Sequence, residues 1–178
     1  MSTSETTMPD HFVEARGTDR RPILFAIAAL IILLDRLSKL WIIANIRSGY
    51  GKVIIPNFFR LDHVLNTGAA FSIFADSLSP LAVRYSLIGF SIFAILVVVV
   101  MIWRAGRVIT LSTVALALIL GGAIGNLYDR MVYLHVVDFL EFHIKTHFWP
   151  SFNVADSAIV VGACLLFLEI LLPQRSET

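Results

Sequence analysis

Apolar positions along this chain gather into four long runs, at approximately residues 22–46, 81–103, 108–128 and 155–172. Each is close to the ~17–25 residues that a helix needs to cross a bilayer. Backbone polar groups in lipid must be satisfied within the segment, so helices are the expected form. Residues 1–21 precede the first run; they are polar, show little periodicity and predict a disordered tail. The first run is longer than the roughly 7–15-residue apolar core of a signal peptide and follows a long polar stretch, so it reads as a retained span. Residues 49–80 are too many for a bare connection. Within them NFFRLDHVL, residues 57–65, partly alternates apolar and polar, which predicts a short strand or hairpin on the membrane surface. Residues 139–152, FLEFHIKTHFWPSF, are rich in aromatics, as suits the headgroup level. No internal repeat is visible, which weighs against a transporter built from duplicated halves.

Composition sharpens this picture. Of 178 residues 57% are hydrophobic and 15% charged, against about 25% charged in a soluble domain. One aqueous core of this size cannot hide so much apolar surface. The formal net charge of +1 gives no reason to expect nucleic-acid binding. The single cysteine, Cys164, lies inside an apolar run and excludes an intramolecular disulfide. The division that follows is a cytoplasmic tail over 1–21, one polytopic membrane domain over 22–172, and a short cytoplasmic tail over 173–178. Four spans put both termini on one side. Arg20 and Arg21 before the first run, with Arg104 and Arg107 in the tight turn after the second, favour the cytoplasm for that side.

Charges inside apolar runs are costly and therefore informative. Asp35, Arg36 and Lys39 interrupt the first run, each at a cost of about 2.5–3.5 kcal/mol if it sat at the helix centre. Trp41 marks an interface, and Asp35 lies about 9 Å inside it at helical rise. Asp35 and Lys39 are four apart and share a helix face. They form an internal ion pair, line a polar cleft, or do both. The third run ends GGAIGNLYDRM. Gly121 and Gly125 permit close helix approach, and Asn126, Asp129 and Arg130 share one face. Asp129 and Arg130 either fix the helix end or position other groups; bond breaking is the less economical reading.

Two further acids stand at the outer ends of neighbouring runs. Asp138 sits between Val137 and Phe139, where loss of water should raise its pKa. Asp156 opens the last run, three residues after Asn153. Alone, Asp156 is a helix-capping acid and Asp138 a loop acid. Together they supply what aspartyl peptide hydrolysis requires: two carboxyls sharing a proton, one taking a proton from water while the other polarises the scissile carbonyl. Glu141, His135, His143 and His147 could serve a metal if the last two lay four apart on a helix, but interfacial side chains are the simpler account. Ser38 and Lys39 are adjacent and lack the Ser-x-x-Lys spacing. The GxGD motif of presenilin-like enzymes is missing, as is a Gly-rich phosphate loop.

The ordered set LDRLSK (34–39), LNTGAAFSIF (65–74), GGAIGNLYDR (121–130), VVDF (136–139) and FNVADSAI (152–159) closely resembles lipoprotein signal peptidase, the bacterial type II signal peptidase. The likeness covers roughly residues 22–172. It implies an all-α integral membrane fold of four transmembrane helices with a small extracytoplasmic β-cradle and a short surface helix, supplied by residues 49–80 and 139–152. It implies catalytic aspartates at Asp138 and Asp156. Asp35, Lys39, Asn66, Gly68, Gly122, Asn126, Asp129, Arg130, Asn153 and Ala155 would bind substrate or support the site. The family removes the signal peptide of diacylglyceryl-modified prolipoproteins, on the N-terminal side of the lipidated cysteine. It works at the outer leaflet of the bacterial cytoplasmic (inner) membrane without metal or cofactor, and cyclic lipopeptides of the globomycin type inhibit it. The chain departs from the pattern at Leu134, where the family often has Gly, a residue suited to a tight turn. A small proton-coupled carrier is the alternative for buried acids and a buried lysine; it predicts proton flux without proteolysis.

Overall fold

The computed structural model describes residues 18–68 and 79–172. The elements in chain order are α1 (Arg21–Asn45), β1 (Gly51–Ile55), β2 (Phe59–Asn66), α2 (Pro80–Ala105), α3 (Leu111–Val132), β3 (Val136–Ile144), β4 (His147–Phe148) and α4 (Val154–Leu171). The expected tails fall largely outside the described residues, as does the second half of LNTGAAFSIF. Helix starts follow local chemistry. Pro22 opens α1, Ser79 caps α2 through the Ala82 N–H, and Thr110 forms a reciprocal capping box with Thr113 at the start of α3. The third helix therefore begins at Leu111, three residues later than expected, and runs on to Val132. Asp129 and Arg130 belong to its last turns.

α3 is the central helix and packs against the other three. Leu24 and Ala28 of α1, Val98 and Ile102 of α2, and Leu116, Ala117 and Leu120 of α3 form an apolar core at one end. Ile42, Ile46, Val137 and Phe139 form a second core beneath the sheet. Between the two lies a band of buried polar residues. α1 shows how this arises. Its buried face reads Leu24, Ala28, Asp35, Lys39, Ile42, at spacings of three, four and seven, while Leu30, Leu33, Leu34 and Leu37 face outward. Asp35 and Lys39 are turned in, and the four leucines out. α2, α3 and α4 are long and apolar enough to cross a membrane. α1 has the length but carries the inward charges.

The four strands form one antiparallel meander, β1-β2-β3-β4. The alternation in residues 57–65 does become a hairpin, with β1 paired to β2. A small sheet beside the helices is part of the expected fold, and with four strands present the label all-α does not describe the chain. Residues 139–152 are strand and loop, so they do not supply a short surface helix. Aromatic residues there pack across the sheet instead of lying along a helix: Phe142 meets Phe58, Phe59 and Phe152, with ring centroids 4.9–5.9 Å apart. Arg60 ties β2 to β3, with its Nε 2.7 Å from Asp62 Oδ1 and its Nη2 2.6 Å from Glu141 Oε2.

Candidate active site

Asp156 is the third residue of α4, and its two oxygens have different partners. Asn153 caps the helix: its Oδ1 accepts from the Asp156 N–H at 2.9 Å, and Asp156 Oδ2 accepts in return from the Asn153 N–H at 3.2 Å. Asp156 Oδ1 is left for the space between the helices, where it accepts from Asn126 Nδ2 at 2.7 Å. The capping role and the site role are met by one carboxylate.

Asp138 reaches the same place from the sheet. It lies on β3 opposite Val64 of β2. Between Leu61 and Val64 the register shifts, so that Asp62 and His63 together oppose the single residue Phe139. This bulge turns Val64 and Asn66 onto the Asp138 face; without it a one-residue slip would send Asn66 to the opposite face. Asn66, the diagonal neighbour, donates from Nδ2 to Asp138 Oδ2 at 2.9 Å. Its Oδ1 accepts the Gly68 N–H at 2.8 Å, which fixes the amide with its donor toward the acid. Gly68 has φ +94°, a conformation L side chains rarely adopt. Asn153 Nδ2 donates to Asp138 Oδ1 at 2.7 Å. Asn153 thus joins the two acids directly, by side chain to Asp138 and by capping box to Asp156.

A buried ion cluster stands behind this pair. Lys39 Nζ lies 2.7 Å from both Asp35 Oδ2 and Asp129 Oδ2, and donates to Asn126 Oδ1 at 3.2 Å. It hydrogen-bonds Asp35 and Asn126, and its contact with Asp129 is an ion pair. The Asn126 side-chain oxygen being so engaged, the amide must turn its NH2 to Asp156. Asp35 Oδ1 accepts the Ala155 N–H at 3.0 Å, tying α1 to the first turn of α4. Arg130 Nη1 donates to the main-chain carbonyl of Asn126 at 3.2 Å. Close approach makes this possible. A Cβ on Gly122 would lie 2.3 Å from the Ala155 carbonyl oxygen, and one on Gly125 would lie 2.8 Å from Asp35 Oδ2.

Asp138 is 3% exposed. Burial pushes its pKa from 3.8 up to about 6; the nearby Asp156 charge adds to the rise, and the bonds from Asn66 and Asn153 oppose it. Asp156 and Ser157 also line a cavity of about 370 Å³ with Trp149, Phe152, Val160 and Val161. Every residue expected at the site falls in one connected network, from Gly68 through the two acids to Asp35 and Asp129. His143 and His147 lie on the two strands of the β3–β4 hairpin, not on one helix face, so the spacing argument for a metal does not apply to them. Arg36, Trp149 and Phe152 border the network without having been singled out for it. Consecutive numbering put Arg36 and Asp35 on different helix faces, and the aromatics had only an interfacial signal.

Two solved structures share this fold. Both are described as bacterial membrane enzymes determined by the in meso method, and each is 25% identical to this chain. Their TM-scores are 0.78 and 0.74; they cover 90% and 88% of this chain, and 100% and 92% of their own. Fold and long apolar helices together place the chain with these membrane proteins. A family model described as signal peptidase (SPase) II matches residues 27–172. Proteins named lipoprotein signal peptidase are similar over most of their length. The one from Solibacter usitatus is 41% identical over 157 residues (88% of this chain, 95% of the relative), that from Pseudomonas putida 44% over 154 residues (85% and 88%), and that from Tolumonas auensis 46% over 154 residues (86% and 91%). The chain belongs to the signal peptidase II family, and is a peptidase by that membership. The carrier alternative is left without support.

Proposed function

We propose that the chain is an aspartyl endopeptidase that removes signal peptides from diacylglyceryl-modified prolipoproteins, cutting on the N-terminal side of the lipidated cysteine. The observation that carries this is the meeting of Asp138 and Asp156, from a strand and a helix, at the two ends of Asn153. Asp138, the more deeply buried acid, is the natural proton holder of the pair. Asp156, at a helix N-terminus that suits an anion, takes a proton from the attacking water. Asp138 donates its proton to the carbonyl oxygen as the tetrahedral intermediate forms. On collapse Asp138 takes back a hydroxyl proton, the amine of the lipidated cysteine leaves with the proton held by Asp156, and the carboxyl of the signal peptide is freed. No metal or nucleotide enters these steps.

In this reading Asn66, Asn126 and Asn153 aim the acids, and Gly68, Gly122 and Ala155 shape the approach of substrate. Asp35, Lys39, Asp129 and Arg130 hold the polar setting. α1 is the fourth membrane span, its inward charges paired and its leucines in lipid. Both termini face the cytoplasm of a bacterium, the sheet forms an extracytoplasmic cradle, and the site lies near the outer leaflet of the inner membrane. Cyclic lipopeptides of the globomycin type would occupy the same site. The test is Asp138→Asn and Asp156→Asn, each assayed on a lipidated precursor with the unlipidated precursor as control. Each variant is expected to insert and fold yet not cleave; full activity in either would end the proposal.

A further inference from the structure

Arg36 touches neither candidate catalytic acid, yet it sits where the supports of both converge. Its Nη1 lies 3.8 Å from Asp129 Oδ1. Its Nη2 donates to the Tyr133 hydroxyl. Its Cζ stands 4.8 Å from the centroid of the Tyr133 ring and 5.3 Å from that of Tyr128. The two rings meet edge-on with centroids 6.0 Å apart. One guanidinium therefore binds an acid of α3 and clamps the aromatic pair at the end of that helix.

Each contact leads to a different aspartate. Along one arm, Asp129 presents its other oxygen to Lys39, Lys39 donates to Asn126, and Asn126 donates to Asp156. Along the other, Tyr133 is the C-cap of α3, its N–H bonded to the Asp129 carbonyl at 2.8 Å. Leu134 follows with φ +66°, and β3 starts at Val136, two residues before Asp138. The direction in which the strand leaves the helix sets where Asp138 points. The Tyr133 ring, fixed by Arg36, is the side-chain brace at that turn.

We infer that Arg36 is a positioning residue that sets both members of the dyad through these two arms, an inference that rests on the aspartyl reading above. The geometry calls for arginine. A planar guanidinium can bond a carboxylate and a phenol at once while stacking on rings, whereas a lysine ammonium is a point charge on a flexible stem. The loss expected on substitution is one of aim, and displacement of reacting groups by a fraction of their contact distance lowers turnover with little effect on binding.

The full chain in detergent or vesicles, assayed on a diacylglyceryl-modified precursor, provides the test. Arg36→Lys is expected to lower kcat roughly tenfold or more with KM within about twofold. In Arg36→Ala, added guanidinium ion should restore part of kcat and methylammonium should not. Tyr133→Phe keeps the ring but loses the acceptor, and should cost less than Arg36→Lys. The double variant should be no slower than Arg36→Lys alone, because both changes break one arrangement. An unchanged kcat in Arg36→Lys, a loss confined to KM, or full additivity of the two changes overturns the inference. Should Arg36→Lys fail to accumulate, an unchanged kcat in Tyr133→Phe overturns it equally. Full activity of Asp138→Asn would instead remove the aspartyl reading itself; a dead Asp138→Asn beside a fully active Arg36→Lys would remove only the role of Arg36.

Discussion

Replacing Asp138 by Asn should change how the stability of the protein depends on pH. In the folded chain Asp138 is buried and its pKa is pushed up to about 6, against 3.8 for an ordinary aspartate. Below pH ~4 the acid is protonated folded or unfolded and contributes nothing to the difference. Between pH ~4 and ~6 the native state holds a proton that the unfolded chain has released, so stability falls as pH rises. Above pH ~6 the full penalty is present, about 3 kcal/mol at ~1.36 kcal/mol per pKa unit. The amide of the Asp138→Asn variant carries no charge at any pH and escapes this penalty. It has its own cost. Both oxygens of Asp138 accept from NH2 groups, of Asn66 at 2.9 Å and of Asn153 at 2.7 Å. The new NH2 must face one of these donors, at roughly 1–3 kcal/mol, independent of pH. The wild type should therefore be the more stable at pH ~4, and the variant should draw level or overtake it by pH ~8. The gap between them should shift by about 3 kcal/mol across that range. Unfolding in detergent, followed by tryptophan fluorescence over the same pH range, measures it. Parallel curves would show that Asp138 ionises as an ordinary aspartate does, and that its burial does not govern its proton.

Two other changes probe the supports. Lys39→Met leaves Asp35 and Asp129 facing a neutral side chain where each had an ammonium at 2.7 Å; stability should fall by about 3–5 kcal/mol, and adding Asp35→Asn should recover part of it in the same unfolding assay. Leu134→Gly should hold or raise stability by up to about 1 kcal/mol, since a left-handed L residue costs about 1–2 kcal/mol and glycine's extra chain entropy returns about half of that. Leu134→Val, branched at a position with φ +66°, should lower it, and the order Gly, Leu, Val in unfolding temperature is the check.

The helices and the polar network could be read ahead of the structure for one physical reason. A charge in an apolar run needs a partner, and at i,i+4 or on a shared helix face the partner can be named. The Asp35–Lys39 pair was legible in this way, as was the face that Asn126 and Asp129 share toward Lys39. β3 was not. Val136, Val137, Asp138 and Phe139 are buried on both faces of the sheet, so the strand has no alternation to show. The bulge opposite Phe139 leaves no mark in composition, yet it decides which face Asn66 takes. Leu134 marks the converse case. The resemblance leads one to expect glycine at a tight turn, and the turn is present with φ +66° although the residue is leucine. The fold there is imposed by what flanks it, the C-cap of α3 and the Arg36 clamp on Tyr133, against the local preference of the side chain.

The three asparagines show why amides, and not acids or longer side chains, surround the two aspartates. An amide offers one acceptor and one donor group at fixed separation. Each of these three has its oxygen held by a donor that cannot turn away: the Gly68 N–H for Asn66, the Lys39 ammonium for Asn126, and the Asp156 N–H for Asn153. The NH2 of each is then committed to Asp138 or Asp156 without any choice of rotamer. An aspartate at any of these places would bring a third negative charge to the pair and offer no donor. A glutamine would carry its NH2 one methylene away from an acid that backbone geometry has already fixed. The acids are aimed because their neighbours have no second arrangement. Asn126 lies on α3, and Asn153 also donates to its side-chain oxygen at 3.3 Å. Two of the three amides are therefore registered to a helix whose last turns are joined, through Asp129 and Tyr133, to the single guanidinium of Arg36.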